Sequence, residues 1–311
     1  IIVMLASMIL RGLSINFISL LLSVGLFSFG GPIASSGSPK LVATWFKEKD
    51  RGKASGIYAT GPVIGNAIAF ASAPIIAINI FDNWRGISII YGIILVVVLI
   101  IWLLFAKNKP NNEPEISIQK VSYRELIKIN TVKIIMFLSI IFFFISHSLG
   151  AWAPSILIDK NFSITNAGYI TSISTIISLI SLIFITSIFK KGKRKNAIIY
   201  ILLISSVASL GIAFFSGFKL IFSIFLIFSV KRSLMPLSTL ILMEHKDIGP
   251  QKIGTAAGMF FASAEIGGFS GPFIIGFLRD LTNSHQIGFL FSSILCLTGI
   301  LFAFKLNETQ N

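Results

Sequence analysis

The stretch GISIIYGIILVVVLIIWLLFA, residues 86–106, runs for twenty-one residues without one charged side chain. An α-helix of about 20 apolar residues crosses a hydrocarbon core of about 30 Å. No water is available inside that core, so the backbone must satisfy its own hydrogen bonds, as it does in a helix. Residues 86–106 are therefore predicted to form a transmembrane helix.

Eight further apolar segments of similar length lie before and after this one. The apolar run at residues 1–10 ends at Arg11 and is too short to cross, so it is interpreted as a partial helix. The chain of 311 residues is 54% hydrophobic and 12% charged, with a mean hydropathy of +0.88. These values indicate an all-α polytopic membrane protein with nine whole transmembrane helices and one partial helix. The predicted spans are 16–38, 54–79, 86–106, 133–157, 166–189, 196–216, 219–243, 253–278 and 286–305.

The formal net charge of +14 is also typical of proteins that bind nucleic acid, so the positions of the basic residues matter. Nineteen of the 26 Lys and Arg residues lie in alternate connections between spans, whereas each intervening connection holds one. This alternation is the positive-inside pattern of a multi-pass protein in a cell inner (cytoplasmic) membrane. We expect the lipid bilayer as a partner and no nucleic acid. The basic loops, including 107–132 and 190–195, and the C-terminus are predicted to be cytoplasmic, with Asp159 and Asn283 outside.

Residues 107–132 form the only long polar interval and are rich in proline, asparagine and charge. They are predicted to link two bundles of membrane helices, formed by residues 1–106 and 133–311. An internal repeat supports two related halves, because KASGIYATGPVIGNA (53–67) aligns with TAAGMFFASAEIGGF (255–269). Glycines nine residues apart share a helix face and allow close packing, so packing alone also accounts for the similarity. The alignment matches Gly56 with Gly258 and Gly65 with Gly267.

Four segments resemble the major facilitator superfamily. PKLVATWFKEKDRGKASGIYATGPVIG (39–65) is similar to the connection between that family's fourth and fifth helices, and NWRGISIIYG (83–92) to the start of its sixth. HSLGAWAPSIL (147–157) resembles the seventh helix of its cyanate-permease-like branch. IGPQKIGTAAGMFFASAEIGGFSGPFIIGFLRDLT (248–282) resembles its tenth-to-eleventh connection and eleventh helix.

This resemblance implies a secondary transporter of twelve helices in two six-helix bundles, with a central cavity that opens alternately to each side. It implies that residues 1–106 are an incomplete N-terminal bundle, comprising the end of helix three and helices four to six. Residues 107–132 would then be the cytoplasmic linker, and residues 133–311 would be the C-terminal bundle of helices seven to twelve.

Four ionisable residues are predicted to lie at a similar depth near the bilayer centre. Lys231 is twelve residues from both ends of the span 219–243, about 18 Å at 1.5 Å per residue, which is too far for a lysine to reach the interface. Arg232 is adjacent, and Glu265 and His147 lie at comparable positions in two other spans. A charge at this depth is costly unless it faces a cavity or a partner, so these residues are candidates for function.

Neighbouring residues of a helix point about 100° apart, so Lys231 and Arg232 cannot both face one cavity. The preferred assignment is that Arg232 presents a bidentate fork to an anionic substrate while Lys231 neutralises Glu265, and the reverse stays open. A purely structural cluster of ion pairs is the alternative. Glu265 either carries a coupled proton or only forms a charge pair. His147 is either a substrate or proton group or a packing residue.

The family resemblance places helices seven and ten at the cavity, where the net charge of this chain is positive. The predicted substrate is therefore a small organic or inorganic anion, moved with a proton or another coupling ion. Pro236 and Pro272 lie inside predicted helices, where a proline frees a carbonyl, and they are candidates for gating. The four matched glycines are candidates for helix packing and gating.

The sequence contains no His-Glu-x-x-His, Cys-x-x-Cys or phosphate-loop pattern. We expect no catalytic residue, no metal and no cofactor, and we expect a monomer. Two other classes of protein remain open. A polytopic membrane enzyme would need acids or histidines clustered at one membrane face, and a non-transporting interaction subunit would need none.

Overall fold

A computed structural model describes residues 1–46, 48–107, 123–189 and 192–306. Within those ranges the regular structure is helical and contains no strand. The helices are α1 (Ile2–Gly12), α2 (Phe17–Trp45), α3 (Glu48–Ile75), α4 (Arg85–Phe105), α5 (Tyr123–Leu126), α6 (Asn130–Asp159), α7 (Ile164–Ile188), α8 (Arg194–Phe214), α9 (Gly217–Lys231), α10 (Leu234–Glu244), α11 (Gly249–Thr282) and α12 (Gln286–Ala303). A π-helical turn, Ile76–Ile80, continues α3.

Eight segments of the described chain are long and apolar enough to cross a membrane. Seven of them correspond to α3 with its π turn, α4, α6, α7, α8, α11 and α12, and the eighth, Gly217–Glu244, joins α9 and α10. The predicted span 16–38 corresponds to α2, whose described apolar part is the shorter Phe17–Gly30, and α1 is also short. The prediction of an all-α polytopic membrane protein is confirmed. Residues 108–122 of the predicted linker lie outside the described ranges.

The chain divides into two compact units, Ile1–Ile116 and Ser117–Asn311. In the first unit, α1 packs against α2 and α4. The hydroxyl of Ser7 donates to the carbonyl of Ser23 at 2.7 Å, and the Nη2 of Arg85 donates to the carbonyl of Ser14 at 2.7 Å. These two bonds join the middle of the short α1 to α2 and the residue that follows its C-terminal turn to α4.

In the second unit, α6 packs along α11, α8 along α12 and α7 against α9. The α6 and α11 backbones approach closely at Gly267 and Gly271, because a Cβ on Gly271 would lie only 2.5 Å from the carbonyl oxygen of Phe144. Hydroxyl groups add polar contacts between helices, as at Ser139 and Ser263, whose Oγ atoms are 2.9 Å apart. Small residues and buried hydroxyls are the usual means of packing helices in lipid, where burial of apolar surface brings no gain.

The eighth span contains the predicted helix 219–243 but has a break in its regular hydrogen bonding at Arg232 and Ser233, both of which keep right-handed helical backbone angles. α9 ends at Lys231 and α10 begins at Leu234. The cause is Pro236, which has no N–H to donate to the carbonyl of Arg232 four residues earlier. The Ser233 N–H bonds to the carbonyl of Val230, three residues earlier, at 3.1 Å, where a regular α-helix would use the carbonyl four residues earlier. The break therefore lies where the two adjacent basic residues occur.

Candidate functional site

The two basic side chains at the break between α9 and α10 contact different neighbouring helices. Lys231 points towards α6, where its Nζ lies 3.5 Å from the carbonyl oxygen of Ser146. The same Nζ lies 3.5 Å from the centre of the Phe228 ring. Lys231 is 5% exposed, and it has no carboxylate within 4 Å in the described part of the chain. Its ammonium group is therefore buried against a carbonyl and an aromatic face only.

Arg232 points towards α7 instead. Its Nε donates to the Oγ of Ser178 at 2.9 Å, and that hydroxyl donates to the carbonyl of Thr175 at 2.6 Å. Arg232 is partly exposed. The guanidinium of Arg232 bonds to the described residues through Nε alone. No carboxylate among the described residues lies within 4 Å of it. The guanidinium group is thus anchored on one edge, with the two Nη groups at its end left for another ligand.

His147 on α6 and Glu265 on α11 lie on either side of Gly268. A Cβ on Gly268 would lie 3.3 Å from the Oε2 of Glu265 and 3.4 Å from the Nδ1 of His147. The His147 Nδ1 is 3.1 Å from the carbonyl of Phe143, which can only accept, so Nδ1 is the donor of that bond. Both side chains are exposed on the surface of this unit. The structure therefore brings His147 and Glu265 together.

The structure does not form the Lys231–Glu265 ion pair considered from the sequence. Lys231 is buried against α6, whereas Glu265 is exposed beside His147 and is in no ion pair with the residues that are described. The physical reason is that counting residues along a helix gives the depth of a side chain but not the direction in which it points. Lys231 and Glu265 are predicted to lie at a similar depth, but they are on helix faces that point in different directions and therefore do not meet.

Ser178 is a contact of the candidate site that was missed in the sequence. It belongs to a stripe of four hydroxyl residues with the spacing i, i+3, i+4 and i+7, which places them on one face of α7. All four are at most 3% exposed. A stripe of hydroxyl residues inside an apolar span is visible in the sequence and could have indicated which face of α7 is buried. The stripe consists of Thr171, Ser174, Thr175 and Ser178.

The predicted packing and gating residues have different surroundings. A Cβ on Gly267 would overlap the α6 backbone, whereas a Cβ on Gly65 or Gly258 would meet nothing within 4 Å in the described structure. The surroundings of Gly56 lie outside the described residues. Pro236 lies just after the break in the eighth span.

Pro272 takes part in a contact between α11 and α6. Its carbonyl accepts a hydrogen bond from the Nε1 of Trp152 at 3.0 Å. The bond lies one residue beyond Gly271 on α11, so it continues the close approach of these two helices.

A second polar cluster lies where α6 ends and α12 begins. The Oδ2 of Asp159 is 2.9 Å from the Nδ1 of His285 and 3.6 Å from the Nε of Arg279. The His285 ring packs on Trp152, with 5.2 Å between ring centres. Burial lowers the pKa of His285, Asp159 acts to raise it and Arg279 adds to the lowering. This cluster joins the ends of α6, α11 and α12 and contains none of the four candidate site residues.

Long apolar helices with a few ionisable side chains inside them define a polytopic membrane protein. The chain belongs to the Major Facilitator Superfamily, whose family model matches residues 1–272. The proteins of this family are transporters, so the polytopic membrane enzyme considered above is excluded.

Three relatives carry descriptions as transporters. The hexuronate transporter of Bacillus subtilis (strain 168) is 26% identical over 92% of this chain and 72% of its own length. A putative tartrate transporter of Agrobacterium vitis is 23% identical, over 85% of this chain and 66% of its own. A probable nitrate transporter, NarT, of Staphylococcus epidermidis (strain ATCC 35984) is 26% identical, over 94% and 73% respectively.

Solved structures show the same fold at low identity. A bacterial homolog to the human lysosomal transporter Spinster, in an inward-facing and occupied conformation, has a TM-score of 0.78 at 14% identity, over 98% of this chain and 80% of that chain. The E. coli fucose:proton symporter FucP has a TM-score of 0.61 at 14% identity, over 99% and 82%. These two similarities establish the helical architecture.

Proposed function

We propose that this protein is a secondary active transporter of a small organic or inorganic anion, which works by alternating access and is coupled to protons. The observation that carries the proposal is Arg232, which lies at the break in a membrane span with its Nε anchored and its Nη groups without a recorded partner in the described chain. The relatives are described as transporters of hexuronate, tartrate and nitrate, all of which are anions.

The geometry of the break supports this role for Arg232. A guanidinium offers two parallel N–H groups that match the two oxygens of a carboxylate or a similar oxyanion. Transporters commonly place substrate contacts at interrupted membrane helices, where backbone and side-chain groups are free to bind a ligand. Lys231 adds positive charge at the same level without facing the same way. The two compact units are proposed to be the two helix bundles of the family, joined through residues 107–132.

The orientation of the protein in the membrane follows from the distribution of charge. We propose that the basic connection at 190–195 and the C-terminus face the cytoplasm of the cell inner membrane, with Asp159 and Asn283 outside. In a variant with its natural Cys296 replaced by serine, a single cysteine at position 193 should resist a membrane-impermeant maleimide applied to intact cells and react after lysis. A cysteine at position 283 should react in intact cells. The reverse pattern would contradict this orientation.

Transport assays test the role of Arg232. The protein, expressed from its complete gene, would be reconstituted in lipid vesicles, and uptake of radiolabelled glucuronate, tartrate and nitrate would be measured. Arg232→Ala should raise the half-saturating concentration of a transported anion by roughly 10- to 100-fold, because a hydrogen bond to a charged group is worth about 1.5–3 kcal/mol. Lys219→Ala is the matched control, since it removes one positive charge from the exposed end of the same span.

Two outcomes would contradict the proposal. One is undiminished uptake of every transported anion by Arg232→Ala, and the other is failure of the unaltered protein to transport any of the three anions.

The same vesicles test coupling through Glu265, which is exposed beside His147. Glu265→Gln should still exchange internal for external anion but should not concentrate it under an imposed pH gradient. Normal accumulation by Glu265→Gln would exclude that role for the carboxylate.

A further inference from the structure

We propose that Ser178 is a positioning residue that holds the guanidinium of Arg232 by its Nε and thereby presents the Nη1–Nη2 edge to the bound anion. This inference rests on the proposed function and adds a determinant of affinity on a different helix. α7 carries Ser178 and packs against α9, at the end of which Arg232 lies.

The direction of the hydrogen bonds at Ser178 is determined by chemistry. A hydroxyl has one proton to donate, and the Ser178 Oγ lies 2.6 Å from the carbonyl of Thr175, which can only accept. The serine oxygen is therefore the acceptor for the Nε–H of Arg232, which can only donate, at 2.9 Å. Ser178 is 0% exposed, so the serine side of this bond is shielded from water.

The bond at Nε determines which edge of the guanidinium is available. One edge of an arginine offers Nε–H with one Nη–H, and the other offers an N–H from each of Nη1 and Nη2. Ser178 occupies the first edge, so a bidentate contact with an anion can form only at the second. The anion would be received end-on, in line with the long axis of the side chain, and would offer two oxygens to two parallel N–H groups.

The rest of the stripe on α7 does not share this role. The hydroxyls of Thr171, Ser174 and Thr175 donate to the carbonyls of Ala167, Ile170 and Thr171 of their own helix, at 2.8, 2.7 and 2.9 Å. Ser178 differs from these three because it also accepts the bond from Arg232, which lies on another helix. A long side chain held at Nε loses less conformational freedom when the anion binds, which raises affinity without a new contact to the anion.

The test compares Ser178→Ala with Ser178→Thr and Ser174→Ala, using the anion that the unaltered protein transports in the vesicle assay. Ser178→Ala should raise KM about 3- to 10-fold, the usual effect of one hydrogen bond, with the maximal rate unchanged. Ser178→Thr keeps a hydroxyl at the same position and should restore KM to within about 2-fold, since a helical threonine can also bond back to a carbonyl. Ser174→Ala removes an equally buried hydroxyl from the same helix and should leave KM unchanged.

The possible failures are distinguishable. If Arg232→Ala lowers anion affinity but Ser178→Ala keeps the KM of the unaltered protein, the positioning role is wrong and the proposed function stands. If Arg232→Ala has no effect, the proposed function itself fails. A fall in maximal rate and thermal stability that is equal in Ser178→Ala and Ser174→Ala, with KM unchanged in both, would mean that Ser178 only supports packing, which overturns the inference.

Discussion

Replacing Gly267 with alanine should sharply lower both the yield of folded protein and its thermal unfolding midpoint. The added Cβ would overlap the carbonyl oxygen of Ile140 and lie 2.7 Å from its carbonyl carbon and 2.9 Å from the backbone nitrogen of Phe144. All three are backbone atoms of α6, so no side chain can rotate away and the two helices must separate. Overpacking of this kind costs about 1–3 kcal/mol, and more where the surroundings cannot adjust. The measurement is a melting curve in detergent, followed by fluorescence-detected size exclusion.

Gly258→Ala is the matched control, because it makes the same change nine residues earlier on the same helix. A Cβ there meets nothing within 4 Å among the described residues, and alanine is favoured over glycine inside a helix by about 0.5–1 kcal/mol. The control should therefore melt at the same temperature as the unaltered protein or slightly above it. If Gly267→Ala and Gly258→Ala behaved alike, the close contact between α6 and α11 would not exist in the protein.

Replacing Lys231 with methionine should raise the unfolding midpoint. The ammonium is buried, and its contacts in the described structure are one carbonyl at 3.5 Å and the face of Phe228, which leaves much of its lost hydration unreplaced. Methionine is of similar length and adapts to irregular apolar spaces. Replacing even a buried ion pair by apolar residues of similar volume is often neutral or stabilising, by about 1–4 kcal/mol, and Lys231 has no such pair among the described residues. The measurement is again the melting curve, with exposed Lys219→Met as the control on the same helix.

The alternative is that Lys231 pairs with Glu265 in another state of the protein. In that case Lys231→Met would lower the midpoint, and adding Glu265→Gln would recover a good part of the loss, because the second change removes the charge left without a partner. This result would contradict the structural placement of the two residues. Additive effects of the two substitutions on the unfolding midpoint would agree with the structural placement of Lys231 and Glu265.

Much of the fold was predictable because the bilayer imposes simple rules on length, hydropathy and charge. A run such as residues 86–106 has one stable form in lipid, and it is the helix α4, Arg85–Phe105. A freed carbonyl before Pro236 was predicted, but the tight turn at Arg232 and Ser233 was not, because many prolines are tolerated in membrane helices when neighbouring groups satisfy the freed carbonyl. The presence of one proline in the sequence therefore does not show how the hydrogen bonding of the helix changes near it.

The candidate site was less predictable than the fold. Lys231, Arg232, His147 and Glu265 stood out because charge is rare inside an apolar span. Which of them meet depends on the rotation of each helix about its own axis, and the hydrophobicity of these spans does not determine that rotation. The helices that carry these residues, α6, α9 and α11, differ little in hydropathy from one face to another, so no polar face marks the direction of the core. The stripe that contains Ser178 was the one directional signal on α7.

The close approach at Gly267 and Gly271 also has an evolutionary consequence. At these contacts α11 contributes glycines, which have no side chain, while Ile140 and Phe144 contribute backbone atoms that every amino acid possesses. Substitutions should therefore accumulate unequally across one interface. Among descendants of this gene, positions 267 and 271 should remain glycine even where the transported solute changes, whereas position 140 should drift among residues of different size.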